Sequence, residues 1–111
     1  MDKLLMKHDE GIFILEDIFT LLDHNLAAFR ILFVLANKSH KRIVEGISYY
    51  ETIITEKDLQ KLTKLSIDNV WDALECLEES GLVAFCIVGN AMVFMLPRIG
   101  EMERGETHGT T

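Results

Sequence analysis

The chain has 111 residues, of which 49% are hydrophobic and 26% charged, which fits one folded domain and excludes wholesale disorder. Its net charge of −7 gives a surface that on average repels nucleic acid. No apolar stretch approaches the ~18 residues of a membrane span, and no secretory signal is visible. Cys76 and Cys86 form neither a disulfide framework nor a metal motif. We therefore expect a cytoplasmic protein that does not associate with a membrane and whose two cysteine thiols are buried.

The middle of the chain is its only positive part. Residues 26–64 carry seven basic and four acidic side chains, net +3, whereas the segments before and after them are net −4 and −6. We divide the chain into an N-terminal extension and possible dimerisation element (residues 1–24), a folded domain (residues 25–97) and a flexible acidic tail (residues 98–111).

Apolar residues at helical spacing predict a first helix from Asn25 to about Lys41. Its main stripe is Leu22, Leu26, Phe29, Phe33 and Ala36, with Leu32 and Leu35 on an adjacent face. A helix that is apolar on most sides usually lies in the centre of a core or at an interface. The preceding segment GIFILEDIFTLL is either a short strand or another helix, and its period does not decide between them.

The β-branched and aromatic run Ser48–Thr55 predicts a short strand. Thr55 then caps a second helix, whose apolar positions are Leu59, Leu62 and Leu65. Ser66 caps a third helix that ends at Gly81, and its buried stripe is Val70, Ala73, Leu74 and Leu77.

Two apolar runs, Leu82–Val88 and Ala91–Leu96, follow the third helix. The two residues between them, Gly89 and Asn90, are typical of a tight hairpin turn, and Pro97 stops the second strand. Both faces of these strands are apolar. The second face must therefore be covered by the N-terminal segment Leu4–Leu22 or by another subunit.

This order of elements predicts an α+β fold, mainly helical, with a helix-turn-helix followed by a two- to three-stranded wing sheet. The stretch ITEKDLQKLTKLSIDNVWDALECLEESGLV (Ile54 to Val83), with the strands AFCIVGNAMVFML after it, resembles the winged helix-turn-helix family. It is most similar to multiple-antibiotic-resistance-type repressors and to regulators of phages, plasmids and archaeal viruses. The resemblance extends over roughly Leu26 to Leu96.

The resemblance implies that the helix after Ser66 enters the major groove of DNA. Its candidate base-contacting residues are Ile67, Asp68, Asn69, Trp71 and Asp72, with Glu75 toward the rim. This chain departs from the family in the acidity of that helix, in a wing tip without charge, and in Lys64, which stands where many members have glycine. Asn69 is suited to read adenine, and an aspartate can accept a hydrogen bond from the cytosine amino group.

Two basic sets are candidates for phosphate contacts. Lys57, Lys61 and Lys64 share one face of the second helix, and Lys38, His40, Lys41 and Arg42 cluster at the predicted end of the first helix. Both sets are equally compatible with solvated faces, the second complementing a helix C-terminus. Trp71 is a half-buried packing residue, a base-contacting residue or an anchor for a protein partner.

These patterns leave two hypotheses for function. The first is a transcriptional regulator that binds double-stranded DNA as a homodimer, with the first helix and the N-terminal segment forming the dimer interface. The alternative is a winged-helix module, an adaptor or an inhibitor, that binds another protein and not DNA. Enzyme, cofactor and metal motifs are absent from the sequence, so we expect no catalysis, no cofactor and no bound metal.

Overall fold

A computed structural model describes residues 5–8, 11–14, 25–97 and 99–101. The helices are α1 (Leu26–Lys38), α2 (Glu56–Thr63) and α3 (Ile67–Glu79). The strands are β1 (Leu5–His8), β2 (Gly11–Ile14), β3 (His40–Val44), β4 (Ile47–Thr55), β5 (Ala84–Val88), β6 (Ala91–Leu96) and β7 (Ile99–Glu101).

The strands form two sheets. An antiparallel sheet has the order β3-β4-β6-β5, and a small sheet has the order β2-β1-β7 with β1 and β7 parallel. The described residues therefore form an α+β fold of three helices and a four-stranded antiparallel sheet, an arrangement compatible with a winged helix. The expectation of a mainly helical chain with two or three wing strands was wrong, because strands hold as many described residues as helices and β3 adds a fourth strand.

Helix α1 is the centre of the core. Asn25 caps it by accepting a hydrogen bond from the Ala28 N–H at 3.0 Å. Its buried face is Ala28, Ile31, Leu32, Leu35 and Ala36. Two residues of the apolar stripe, Leu26 and Phe33, are exposed, because the sheet and α3 pack against the neighbouring face of the helix. The Thr52 hydroxyl, buried on β4, donates to the Leu35 carbonyl at 2.6 Å and ties the sheet to this helix.

Strand β3 replaces the predicted last turn of the first helix. The helix ends at Lys38, and Ser39 adopts an extended conformation. Glu45 and Gly46 both have positive φ, +51° and +82°, as a two-residue type I′ turn requires, so the chain reverses there into β4. Of the predicted basic cluster, only Lys38 belongs to α1, while His40, Lys41 and Arg42 lie on β3.

The other element predictions are mostly confirmed. Ser48–Thr55 lies within β4, and Gly89–Asn90 joins β5 to β6, with Val88 paired to Ala91. Gly81 has φ +78° and ends α3 in a Schellman motif, in which the Leu82 N–H donates to the Leu77 carbonyl at 3.0 Å. Leu59 is buried as expected, but Leu62 is exposed because its side of α2 faces away from the core.

The chain ends are only partly described. Gly11–Ile14, the start of the ambiguous apolar segment, is strand β2, and residues 15–24 lie outside the described part. Ile99–Glu101, which fall within the predicted tail, form β7 and pair with β1. Residues 102–111 lie outside the described part.

The predicted burial of both thiols was wrong. Cys86 is exposed and Cys76 is partly buried. Successive side chains of a strand point to opposite faces of the sheet. On β5, Phe85 therefore points to the helices and Cys86 points to the opposite side.

We expect Cys86 to react with a thiol reagent in the native protein at nearly the rate of the unfolded chain, and Cys76 to react much more slowly. Labelling kinetics of Cys76→Ala and Cys86→Ala, each followed by mass spectrometry, assign the two rates. Equal, slow labelling of both native thiols would contradict the exposure of Cys86.

Candidate nucleic-acid interface

Two capped helices joined by three residues form the centre of the candidate site. The Thr55 hydroxyl accepts from the Asp58 N–H at 3.0 Å, and the Ser66 hydroxyl accepts from the Asn69 N–H at 3.2 Å. These bonds satisfy N–H groups that have no partner within the helix, so each helix begins at a fixed residue. Lys64 closes α2 in the left-handed conformation, with φ +61°. A residue with a side chain disfavours that conformation, so the backbone at Lys64 is strained.

Helix α1 holds the end of α2. The Arg30 guanidinium donates from Nη1 to the Thr63 carbonyl at 3.3 Å, and this carbonyl belongs to the last turn of α2. A cation at a helix C-terminus also complements the helix dipole. The buried Thr63 hydroxyl donates to the Leu59 carbonyl at 2.7 Å. Sequence spacing could not predict the contact between Arg30 and Thr63, because the two residues lie on different helices.

Trp71 links α3 to α2 and to the hairpin. Its indole Nε1–H donates to the Glu56 carboxylate at 2.8 Å, and its ring lies 6.0 Å from the Phe85 ring, centroid to centroid. Phe85 in turn lies 5.2 Å from Phe94 on β6. These separations are typical of favourable aromatic pairs. The packing interpretation of Trp71 is confirmed, and its only N–H donor is engaged within the chain.

The candidate base-contacting residues are placed as follows. Ile67, Asp68, Asn69 and Asp72 are exposed, Glu75 is exposed further along the same helix, and Trp71 is half-buried. The exposed surface of α3 therefore carries carboxylates and one amide near its N-terminus. Helix α3 contains no basic residue.

The start of α2 lies at the end of the sheet that carries the β5–β6 turn. Lys57, Lys61 and Lys64 are all exposed. Thr55, just before α2, pairs with Ala91 at the turn of the β5–β6 hairpin. The Trp71–Glu56 bond brings the second turn of α3 to the same place. The start of α2, the early part of α3 and the hairpin tip are thus neighbours.

The second basic cluster lies at the other end of the sheet. Lys41 pairs with Tyr50, which is five residues, or about 17 Å of strand, from Thr55. Arg42 forms an ion pair with Glu51 at 3.0 Å. The structure therefore does not place Lys41 and Arg42 beside the α2 lysines.

An apolar groove lies between α1 and α2, and Lys64 lies in its lining. It has a volume of about 520 Å³ and is lined by Phe29, Arg30, Phe33, Val34, Leu62, Thr63 and Lys64. The sequence pattern identified Phe33 and Leu62 as apolar positions, but the groove depends on how α1 and α2 pack and could not be read from spacing.

Among the described residues, no group of three or more His, Cys, Asp or Glu side chains is arranged to hold a metal ion. Within the same residues, no helix has the length and apolarity needed to cross a membrane. No protein-family model, curated protein or solved structure matches the chain.

Replacing Lys64 with glycine should raise the free energy of unfolding by about 0.5–1 kcal/mol, because relief of the left-handed strain exceeds the entropy cost of glycine. The control Lys61→Gly, inside α2, should lower it by about 1 kcal/mol. Urea unfolding measures both changes. A loss of stability in Lys64→Gly would contradict the conformation of the turn.

The Glu56–Trp71 contact should appear as a coupling of about 1–2 kcal/mol in a double-mutant cycle of Glu56→Ala and Trp71→Phe. The Trp71→Phe variant keeps an aromatic ring against Phe85 and removes only the N–H donor. Chemical unfolding of the four proteins gives the coupling, and strictly additive effects would show that the hydrogen bond contributes nothing.

Proposed function

We propose that this chain is a transcriptional regulator that binds double-stranded DNA as a dimer through a winged helix-turn-helix. The observation that carries the proposal is one cluster of elements: the short turn between α2 and α3, the exposed early part of α3, and the hairpin tip next to the start of α2. DNA-binding winged helices present these same three elements to one side of a duplex.

In this proposal the lysines of α2 meet the phosphates. Lys57, Lys61 and Lys64 neutralise the backbone beside the groove and fix the position of the domain. The N-terminal half of α3 then faces the base edges. Asn69 reads adenine by donating to N7 and accepting from the N6 amino group, and Asp68 or Asp72 accepts from the cytosine amino group.

The charge of the domain limits the strength of that binding. Residues 25–97 carry seven basic and nine acidic side chains, net −2. The carboxylates of α3 repel phosphates, whereas the lysines of α2 attract them. We therefore expect weak binding to random DNA, a strong dependence on salt, and a preference for sites that offer cytosine amino groups to α3.

Substituting Lys57 and Lys61 with alanine should weaken binding to all duplexes and flatten the slope of log affinity against log salt by about two units, roughly 0.9 for each lost phosphate contact. Fluorescence anisotropy of a labelled random duplex at several salt concentrations measures the slope.

The matched control is Lys38→Ala/Lys41→Ala, which removes the same charge at the other end of the sheet. This control should leave the slope nearly unchanged. If both double variants flatten the slope equally, the lysines of α2 are not the contact surface. If the wild-type chain ignores DNA at low salt, the proposal is wrong.

A second candidate function is the protein-binding module, and the apolar groove between α1 and α2 favours it. The exposed Phe33 and Leu62 offer a partner an apolar surface within this groove. Trp71 is a poor anchor for such a partner, because Glu56 and Phe85 already hold it. This candidate predicts no binding to duplex DNA at any salt concentration.

A further inference from the structure

The four-stranded sheet has an apolar side that faces away from the helices. On β4 and β6, alternate residues are buried against the helices, namely Tyr50, Thr52, Ile54, Met92, Phe94 and Leu96. The residues between them point to the opposite side, which we call the outer sheet face. Ile53 and Val88 on this face are 61% and 62% exposed in the folded chain. Among the described residues, nothing covers their apolar surface.

Strand register arranges the outer sheet face into rows. Cys86 lies beside Val93, which lies beside Ile53. The rows on either side of this one are Val88–Ala91–Thr55 and Ala84–Met95–Glu51. The three rows form a continuous surface of small and medium apolar side chains across β5, β6 and β4.

The face is almost neutral in a chain of net charge −7. Glu51 is the only carboxylate in the three rows, and Arg42 neutralises it at 3.0 Å. Two copies of so acidic a chain repel each other over most orientations. The outer sheet face is a surface on which they can meet without bringing like charges together.

We propose that two copies of this chain pack their outer sheet faces against each other, with a two-fold axis parallel to the strands. The row Cys86–Val93–Ile53 of one copy then packs against the same row of the second copy. A flat apolar surface is complementary to itself, as a two-fold interface requires. The groove between α1 and α2 is less suited to a second copy, because it is concave and has Arg30 and Lys64 in its lining.

The choice of a two-fold axis parallel to the strands rests on the proposed function, because this direction places both α3 helices where they can contact one DNA duplex. Packed sheets lie about 10 Å apart, and each helix, about 10–12 Å across, adds a similar distance on either side. The two α3 helices would then be roughly 30 Å apart, close to the ~34 Å between half-sites on one side of DNA. An axis parallel to the strands also leaves both hairpin tips pointing toward the same duplex.

The size of the face predicts a weak dimer. Four strands about 4.8 Å apart and about 20 Å long cover roughly 400 Å². A standard interface uses about 800 Å² from each partner. Free dimers should therefore form only at high protein concentration. Salt should strengthen them, because it screens the repulsion between two acidic chains.

Sedimentation equilibrium tests the interface with the full chain. The mass should rise from 12.7 kDa toward twice that value with concentration, and more so in high salt. Ile53→Gln/Met95→Gln should weaken association by at least about tenfold. The control Ile43→Gln/Ile87→Gln changes residues that are 67% and 58% exposed but point to the other side of the sheet, and it should leave association unchanged.

Phe33→Gln tests the competing interface on α1. If this variant dissociates the dimer and Ile53→Gln/Met95→Gln does not, the outer sheet face is the wrong surface. A wild-type chain that stays monomeric at every concentration and salt would also overturn the proposal.

A DNA titration separates this inference from the proposed function. On a random duplex of about three helical turns, two wild-type copies should bind cooperatively, and Ile53→Gln/Met95→Gln should bind with the same salt slope but without cooperativity. Cooperativity that survives in this variant overturns the interface and leaves DNA binding intact. Dimers without any DNA binding overturn the proposed function and leave the interface intact.

Discussion

The geometry of the candidate site depends on the position of one side chain, Trp71. Its N–H bond to Glu56 fixes α3 against the start of α2, and its ring reaches the sheet through Phe85 and Phe94. Only three residues join the two helices. This short connection limits the distance between α2 and α3, but it does not determine the angle at which they cross. A hydrogen bond to a carboxylate and a tilted ring–ring contact restrict both distance and direction. The exposed residues of α3 therefore keep one orientation relative to the hairpin.

Charged and apolar side chains lie on different surfaces around Trp71. Lysines lie on α2, carboxylates lie on α3, the hairpin tip is uncharged, and the outer sheet face is mostly uncharged apart from the Arg42–Glu51 pair. The proposed dimer and the proposed DNA complex use different sides of the sheet, so neither blocks the other. Salt should affect them in opposite directions, since it screens both the repulsion between copies and the attraction of lysines to phosphate.

Local signals in the sequence predicted most of the domain. Thr55, Ser66, Gly81 and the Gly89–Asn90 turn act through their own backbone neighbours, and each lies where it was expected. Strand β3 was missed because Glu45 is an unusual residue for a turn with positive φ. The Glu56–Trp71 bond and the groove depend on residues far apart in sequence. The sequence pattern did not indicate which face of α1 the core would bury.

A titration of the ¹⁵N-labelled chain with duplex DNA, followed by amide chemical shifts in ¹⁵N–¹H NMR spectra, shows directly which residues the DNA contacts. If α2 and the start of α3 bind DNA, salt-sensitive shifts are expected at Lys57, Lys61 and Lys64, and at Ser66 to Asn69. Amides on the far side of the sheet from the helices should shift only when a second copy binds. Shifts confined to Phe29, Phe33 and Leu62, or no shifts at low salt, would show that the lysines of α2 and the start of α3 do not bind DNA.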